Sequence, residues 1–326
     1  MSESQAIEQS SDQSFKKYIP VFTLICCLIS IVLYVGINLE EDPNTWEALY
    51  KWGAPSNFDI FKGNYWGLIS SNFLHIEFWH IGLNLYWIWI LGKKVEFESK
   101  KVNFILLILS SALVSSLAQL SFSSTTGIGL SGVGYALFGF IFIRSKTTIA
   151  YENYLDKKIV NLFFVWLLVG ILLTKTNILP VANAAHAGGL LWGMLMAYLA
   201  GFNSSKQWSV GIAAIAILGS SIFWNPFSTA LLSYQAYDLH NHQQLDKAML
   251  IYKEIIKRDK NNAFAKTNIQ QLEIHELEEK AALLFEKQNY AEAKKIYQQI
   301  LTIDKNNESA KINLAKINDE IALWGK

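Results

Sequence analysis

Residues 127–137 read GIGLSGVGYAL. One serine, Ser131, stands among four glycines, where a polar loop, SFSSTTG at 121–127, gives way to an apolar run. Gly129 lets the backbone bend sharply into a helix start. Gly132, directly after the serine, leaves room beside it for another helix or a peptide. Taken alone, Gly-Leu-Ser-Gly in an apolar protein is as a rule a packing motif. What Ser131 can do therefore depends on what the rest of the chain brings to its depth.

The chain has 326 residues, 52% of them hydrophobic and 17% charged, which is too apolar for an ordinary soluble domain. A formal net charge of +1 implies no strongly charged partner, nucleic acid included. Cys26 and Cys27 are adjacent in an apolar run and offer neither a disulfide framework nor a metal-ligand spacing. Composition changes near residue 229. The 98 residues from there on have no proline, one glycine (Gly325), 14 basic and 14 acidic residues. This predicts a membrane region followed by a charged helical tail.

Apolar segments predict spans near 18–39, 76–92, 102–120, 131–145, 159–174, 184–202 and 208–228. The fourth covers only about 22 Å at the helical rise, so it starts below the surface or its preceding loop dips inward. The first follows a 15-residue polar leader with no small-residue cleavage site and reads as a span, not a signal peptide. Lys16 and Lys17, Lys93, Lys94, Lys100 and Lys101, and Arg144, Lys146, Lys157 and Lys158 share one side, the cytoplasm. The N-terminus is then inside; with seven spans the tail is outside, and with six it stays inside. Spans 2, 4 and 6 run from outside to inside, so His80, Asn84, Ser131 and His186 in their first turns fall at similar depth. Polar groups inside a membrane face the bundle or a water cavity.

Serine needs a base to take its proton, and histidine is the usual one. Ser131 and His186 can form that pair. His80 and Asn84, at i and i+4, share a helix face and carry donors for a tetrahedral oxyanion, as does the Ser131 backbone. Tyr135, one turn after Ser131, can stack on His186. No intramembrane carboxylate is placed to complete a triad. His186, Gly189 and Gly193 form a stripe that lets their helix pack closely.

These residues resemble the rhomboid family of intramembrane serine proteases over about residues 45–202. GLSG at 129–132 matches the family's Gly-x-Ser-Gly motif, with Tyr135 following. HAGGLLWG at 186–193 matches its His-x-x-Gly-x-x-x-Gly element. SNFLHIEFWHIGLNLYWIWILGKKVE at 71–96 looks like its second helix and flanks. The resemblance implies a six-helix bundle with a water-filled cavity open to the outer side, a Ser131–His186 dyad, oxyanion binding by His80 and Asn84, a structural Glu96 and a structural loop histidine, His75. It implies no metal and no cofactor. Where many members have Trp-Arg before the second helix, this chain has Trp66-Gly67.

In the tail, DKAMLIYKEIIKRDKNN at 246–262 aligns with AEAKKIYQQILTIDKNN at 291–307, offset by 45. Ala-x-x-x-Tyr-x-x-Ile closing in Asp-Lys-Asn-Asn looks like the second helix of a tetratricopeptide repeat, with about 11 extra residues near 264–280 lengthening a helix. A plain amphipathic hairpin or coiled coil fits the periodicity too.

The expected fold is all-α: a polytopic membrane helix bundle, with a rhomboid-like six-helix core plus one extra C-terminal span, followed by a soluble α-helical repeat domain. Its expected segments are an N-terminal cytoplasmic tail at 1–17, the core at 18–202, a seventh span at 203–228 and the repeat domain at 229–326. The expected function is an intramembrane serine endopeptidase cutting transmembrane proteins near the outer face. The alternative is a catalytically silent relative that binds clients through its tail. A transporter or channel would need intramembrane charges or bundle repeats, and neither is seen. The tail is expected to bind a protein partner or a second copy. Two arginines against abundant asparagine and lysine suggest an AT-rich, bacterial genome and an inner-membrane location.

Overall fold

The computed structural model describes residues 13–200, 205–223, 225 and 227–324. Residues 1–12 of the expected N-terminal tail, and the junction at 201–204 between the expected core and seventh span, lie outside the described residues. The described residues are helical throughout, with no strand. The chain divides into two compact units, Met1–Leu231 and Leu232–Lys326.

The first unit contains α1 (Val21–Ile37), three short helices α2 (Trp46–Lys51), α3 (Asn57–Phe61) and α4 (Gly67–Ser70), and then α5 (Phe78–Glu98) and α6 (Lys101–Phe122). These are followed by α7 (Ser131–Arg144), α8 (Lys157–Lys175), α9 (Asn183–Ala200) and α10 (Ser205–Gly219). The α1 helix with its leader, α6 and α8 are long and apolar enough to cross a membrane. The remaining expected spans overlap α5, α7, α9 and α10, but α10 ends at Gly219, short of the 208–228 expected for the seventh span, and gives way to a single 3-10 turn at Ser220–Ile222.

The centre of the bundle is α7. Every residue from Gly132 to Ile141 is buried, as expected for a helix that is apolar all round. At 14 residues it rises only about 21 Å, less than a hydrocarbon core of roughly 30 Å. By contrast α8 turns Leu162, Val165, Leu168 and Leu172 outward, each at least half exposed. An exposed apolar helix face of this kind suits lipid.

Several buried polar side chains are tied down. Glu96 accepts from the backbone N–H groups of Phe22 (3.0 Å) and Thr23 (2.8 Å), from the Thr23 hydroxyl (2.7 Å) and from Tyr18 Oη (3.2 Å). It thus supplies an anion to the orphan donors at the start of α1, an arrangement that stabilises by up to about 2 kcal/mol when partly buried. The α2–α4 segment folds over the end of the bundle that carries Ser131. Asn72 ties it to α6 by donating to Ala112 O (3.2 Å) and Ser116 Oγ (2.9 Å). Gly67 lies flat against the Pro55 ring, where any Cβ would collide. A side chain larger than hydrogen therefore requires Pro55 to move.

After α10 the chain returns to the C-terminal end of α6. Asn225 Nδ2 donates to Leu120 O (2.8 Å), Ser228 Oγ donates to Ser123 O (2.9 Å), and Phe227 stacks on Phe122.

The second unit consists of α11 (Ala230–Asn241, beginning two residues before the division), α12 (Leu245–Arg258), α13 (Ala263–Glu286), α14 (Tyr290–Ile303) and α15 (Glu308–Trp324). It has two core clusters. Ala236, Ala248, Tyr252, Ile255, Ala265 and Leu272 form one. Ala281, Ala293, Tyr297, Ile300, Ala310 and Ile317 are in the other, each 45 positions on. The turns repeat as well. Gln243 and Gln288 have positive φ (59° and 58°). Asn262 and Asn307 each accept from the N–H three residues ahead, at Ala265 (3.0 Å) and Ala310 (2.7 Å). The extra length expected near 264–280 lies inside the single 24-residue α13, whose first half closes one module and whose second half opens the next.

Candidate active site

Ser131 is the first residue of α7, reached through two glycines in the left-handed region, Gly127 (φ 75°) and Gly129 (φ 101°). Only glycine adopts these angles without strain. At Gly129 there is a second reason: a Cβ would lie 2.6 Å from His80 Cε1 and Nε2 and 3.2 Å from Asn84 Nδ2. As the first helical residue, Ser131 has a backbone N–H with no intrahelical acceptor.

His186 lies in the first turn of α9, which is held by Gln119 Oε1 accepting from Ala185 N–H (3.1 Å). His186 Nε2 and Ser131 Oγ are 2.7 Å apart. Glycines explain how the two helices come this close. A Cβ on Gly189 would strike Gly132 O, one on Gly193 would strike Ala136 O, and one on Gly132 would meet Ser115 Oγ at 2.5 Å. The backbones of α7 and α9 therefore touch along the stripe. The Tyr135 ring stacks on the His186 ring (centroids 4.8 Å apart, planes at 25°) and its hydroxyl donates to Phe163 O (3.0 Å). His186 is 4% exposed, and its Nδ1 is buried with no hydrogen-bond partner among the described residues. No carboxylate completes a triad there.

Ser131 and His186 lie in a cavity of about 720 Å³, which is also lined by His80, Asn84 and Tyr135. The structure thus brings all four polar residues singled out in the sequence into one space. Among the described residues, no three His, Cys, Asp or Glu side chains group as metal ligands.

His75 is a larger participant than its loop position suggests. It is fully buried, with Nδ1 3.2 Å from Phe73 O. A carbonyl only accepts, so Nδ1 carries the proton and Nε2 is an acceptor. Nε2 receives the Leu130 N–H (3.2 Å) and lies 3.0 Å from Asn84 Nδ2. One imidazole therefore fixes both the residue before Ser131 and the orientation of the Asn84 amide, whose second N–H stays free. Its ring also packs edge-on against His80 (4.9 Å). The resemblance implies only a structural loop role for His75, and nothing local in the sequence links residue 75 to residue 130. The available signal was a histidine followed five residues later by another that opens a polar helix face.

Residues 62–202 match the family model described as Rhomboid domain. The chain is also similar to the rhomboid protease GlpG of Salmonella typhi and to that of Salmonella newport, at 30% identity over 185 residues in each case. The match covers 57% of this chain and 65% of each relative's length. Together with the apolar helices, these similarities support a multi-pass integral membrane protein.

Proposed function

We propose that this chain is an intramembrane serine endopeptidase of the rhomboid kind that cleaves transmembrane proteins near the outer membrane face. The observation that carries the reading is the 2.7 Å contact between Ser131 Oγ and His186 Nε2 inside a cavity within an apolar bundle. Ser131 Oγ attacks the scissile carbonyl as its proton passes to Nε2. The oxyanion that forms is met by the Ser131 N–H, the free N–H of Asn84 and His80. His186 then returns the proton to the leaving amine, and water repeats the cycle on the acyl-enzyme. Tyr135 holds the imidazole plane. Gly127 and Gly129 allow the bend that presents Ser131 at the cavity floor. In this reading no cofactor takes part.

By the distribution of lysine and arginine, the N-terminus is cytoplasmic and the cavity end faces outward. With α10 counted as a seventh span, residues 229–326 are read as lying outside. The tail is read as two tetratricopeptide-like repeats that bind a protein partner or a second copy. The two core sets, matched residue for residue at an offset of 45, and the repeated turns favour this over a plain hairpin. Composition favours a bacterial inner membrane.

Labelling of the detergent-purified protein by a fluorophosphonate probe tests the chemistry. Labelling should appear in the wild type and vanish in Ser131→Ala and His186→Ala, with cleavage falling on the order of 10⁴-fold or more. A folded wild type that does not label would overturn the protease reading in favour of a silent client-binding protein.

A further inference from the structure

The cavity is mostly apolar and neutral. Its lining has one carboxylate, Glu77, and no lysine or arginine. Glu77 immediately precedes α5 in the N-cap position, and its side chain makes no capping hydrogen bond. Its carboxylate is about half exposed, with Oε2 3.8 Å from His80 Nδ1, and no lysine or arginine among the described residues pairs with it. A half-exposed carboxylate that lines the cavity beside the residue read as meeting the oxyanion, with no lysine or arginine to offset it, makes that part of the cavity wall electronegative. In an apolar-walled cleft such a charge is felt by whatever enters.

We propose that Glu77 reads the charge of the substrate next to the scissile bond. It favours a transmembrane segment carrying lysine or arginine within two residues of the cut and disfavours one carrying aspartate or glutamate there. Successive residues of an extended chain are about 3.3 Å apart, so a long basic side chain at that distance reaches a carboxylate placed 3.8 Å from His80. This inference rests on the protease reading for the identity of what enters.

The test uses the full-length protein in detergent and fluorogenic single-span reporter peptides that differ only at the position after the cut, with Lys, Gln or Glu there. The wild type should cleave the Lys peptide about tenfold faster than the Glu peptide, as expected for a partly exposed pair with repulsion on one side. The Lys-to-Glu ratio should fall towards one in Glu77→Gln and invert in Glu77→Lys. A wild type that cleaves both equally, or a ratio indifferent to both substitutions, would overturn the proposal while leaving the protease reading intact. Binding of the same peptides to Ser131→Ala keeps the two ideas separable. If nothing is cleaved but binding shows the preference and its inversion in Glu77→Lys, the protease reading fails and Glu77 stands as a charge reader. Indifferent binding sinks it.

Discussion

The two units bury opposite things. In the first, the closest helix contact is backbone against backbone, with Gly132, Gly189 and Gly193 removing side chains from the α7–α9 seam. Polar groups such as Glu96, Asn72, His75 and His186 are buried around it. In the second, the helices are held apart by Tyr252, Ile255, Tyr297 and Ile300, with alanines between them and charge on the outside. The difference is the one expected for a first unit in lipid and a second in water. Between helices in lipid there is no hydrophobic force, so close packing and hydrogen bonds hold the bundle. In water the burial of apolar surface suffices, and an amphipathic stripe is enough.

The sharpest way to break this contrast is Gly193→Val. Its branched side chain meets the Ala136 carbonyl, which cannot yield without moving α7. Fluorophosphonate labelling should be lost as completely as in Ser131→Ala, although the serine is still present. An alanine-to-valine exchange in the tail, at Ala293, should leave labelling unaltered.

Tyr252→Ala should act the other way round. It empties a fully buried site and should lower the stability of the tail by about 3–5 kcal/mol. Circular dichroism against denaturant would show an early helical transition while labelling of Ser131 persists.

A smaller effect separates positioning from folding in the first unit. His75→Ala should lower kcat by up to about 10²-fold, with KM little changed, because Asn84 loses its orientation. His75→Gln keeps an acceptor and should recover part of the loss. Equal loss in both variants, tracking a fall in Tm, would reduce His75 to a structural residue.

The smallest effect compares the two modules. Asn262→Ala and Asn307→Ala each remove a helix cap and should cost about 1 kcal/mol. Similar shifts in denaturation midpoint would show that the repeated geometry carries repeated energies.

How far the sequence could be read depended on the range of the signal. The span positions, the glycine-flanked Ser131 and the Gly189–Gly193 stripe are local patterns, and the helices fall where hydropathy placed them. The α2–α4 segment was not legible, because helices of four to six residues are too short for periodicity to register. The role of His75 depends on a contact across 55 residues. In the tail, identical residues marked only 246–262 and 291–307. The pairing of Ala236 with Ala281 and of Leu272 with Ile317 extends the repeat beyond them. Leucine for isoleucine hides a repeat from an eye looking for identity, while preserving the volume that packing requires.

Because α13 forms a wall of both tail modules, neither can melt without unwinding a helix the other needs. Independent modules joined by a loop would show two thermal steps. One rigid rod of about 36 Å common to both makes them a single cooperative unit, in which a lesion at Tyr252 or at Tyr297 lowers the same transition and tension applied at one end is felt at the other.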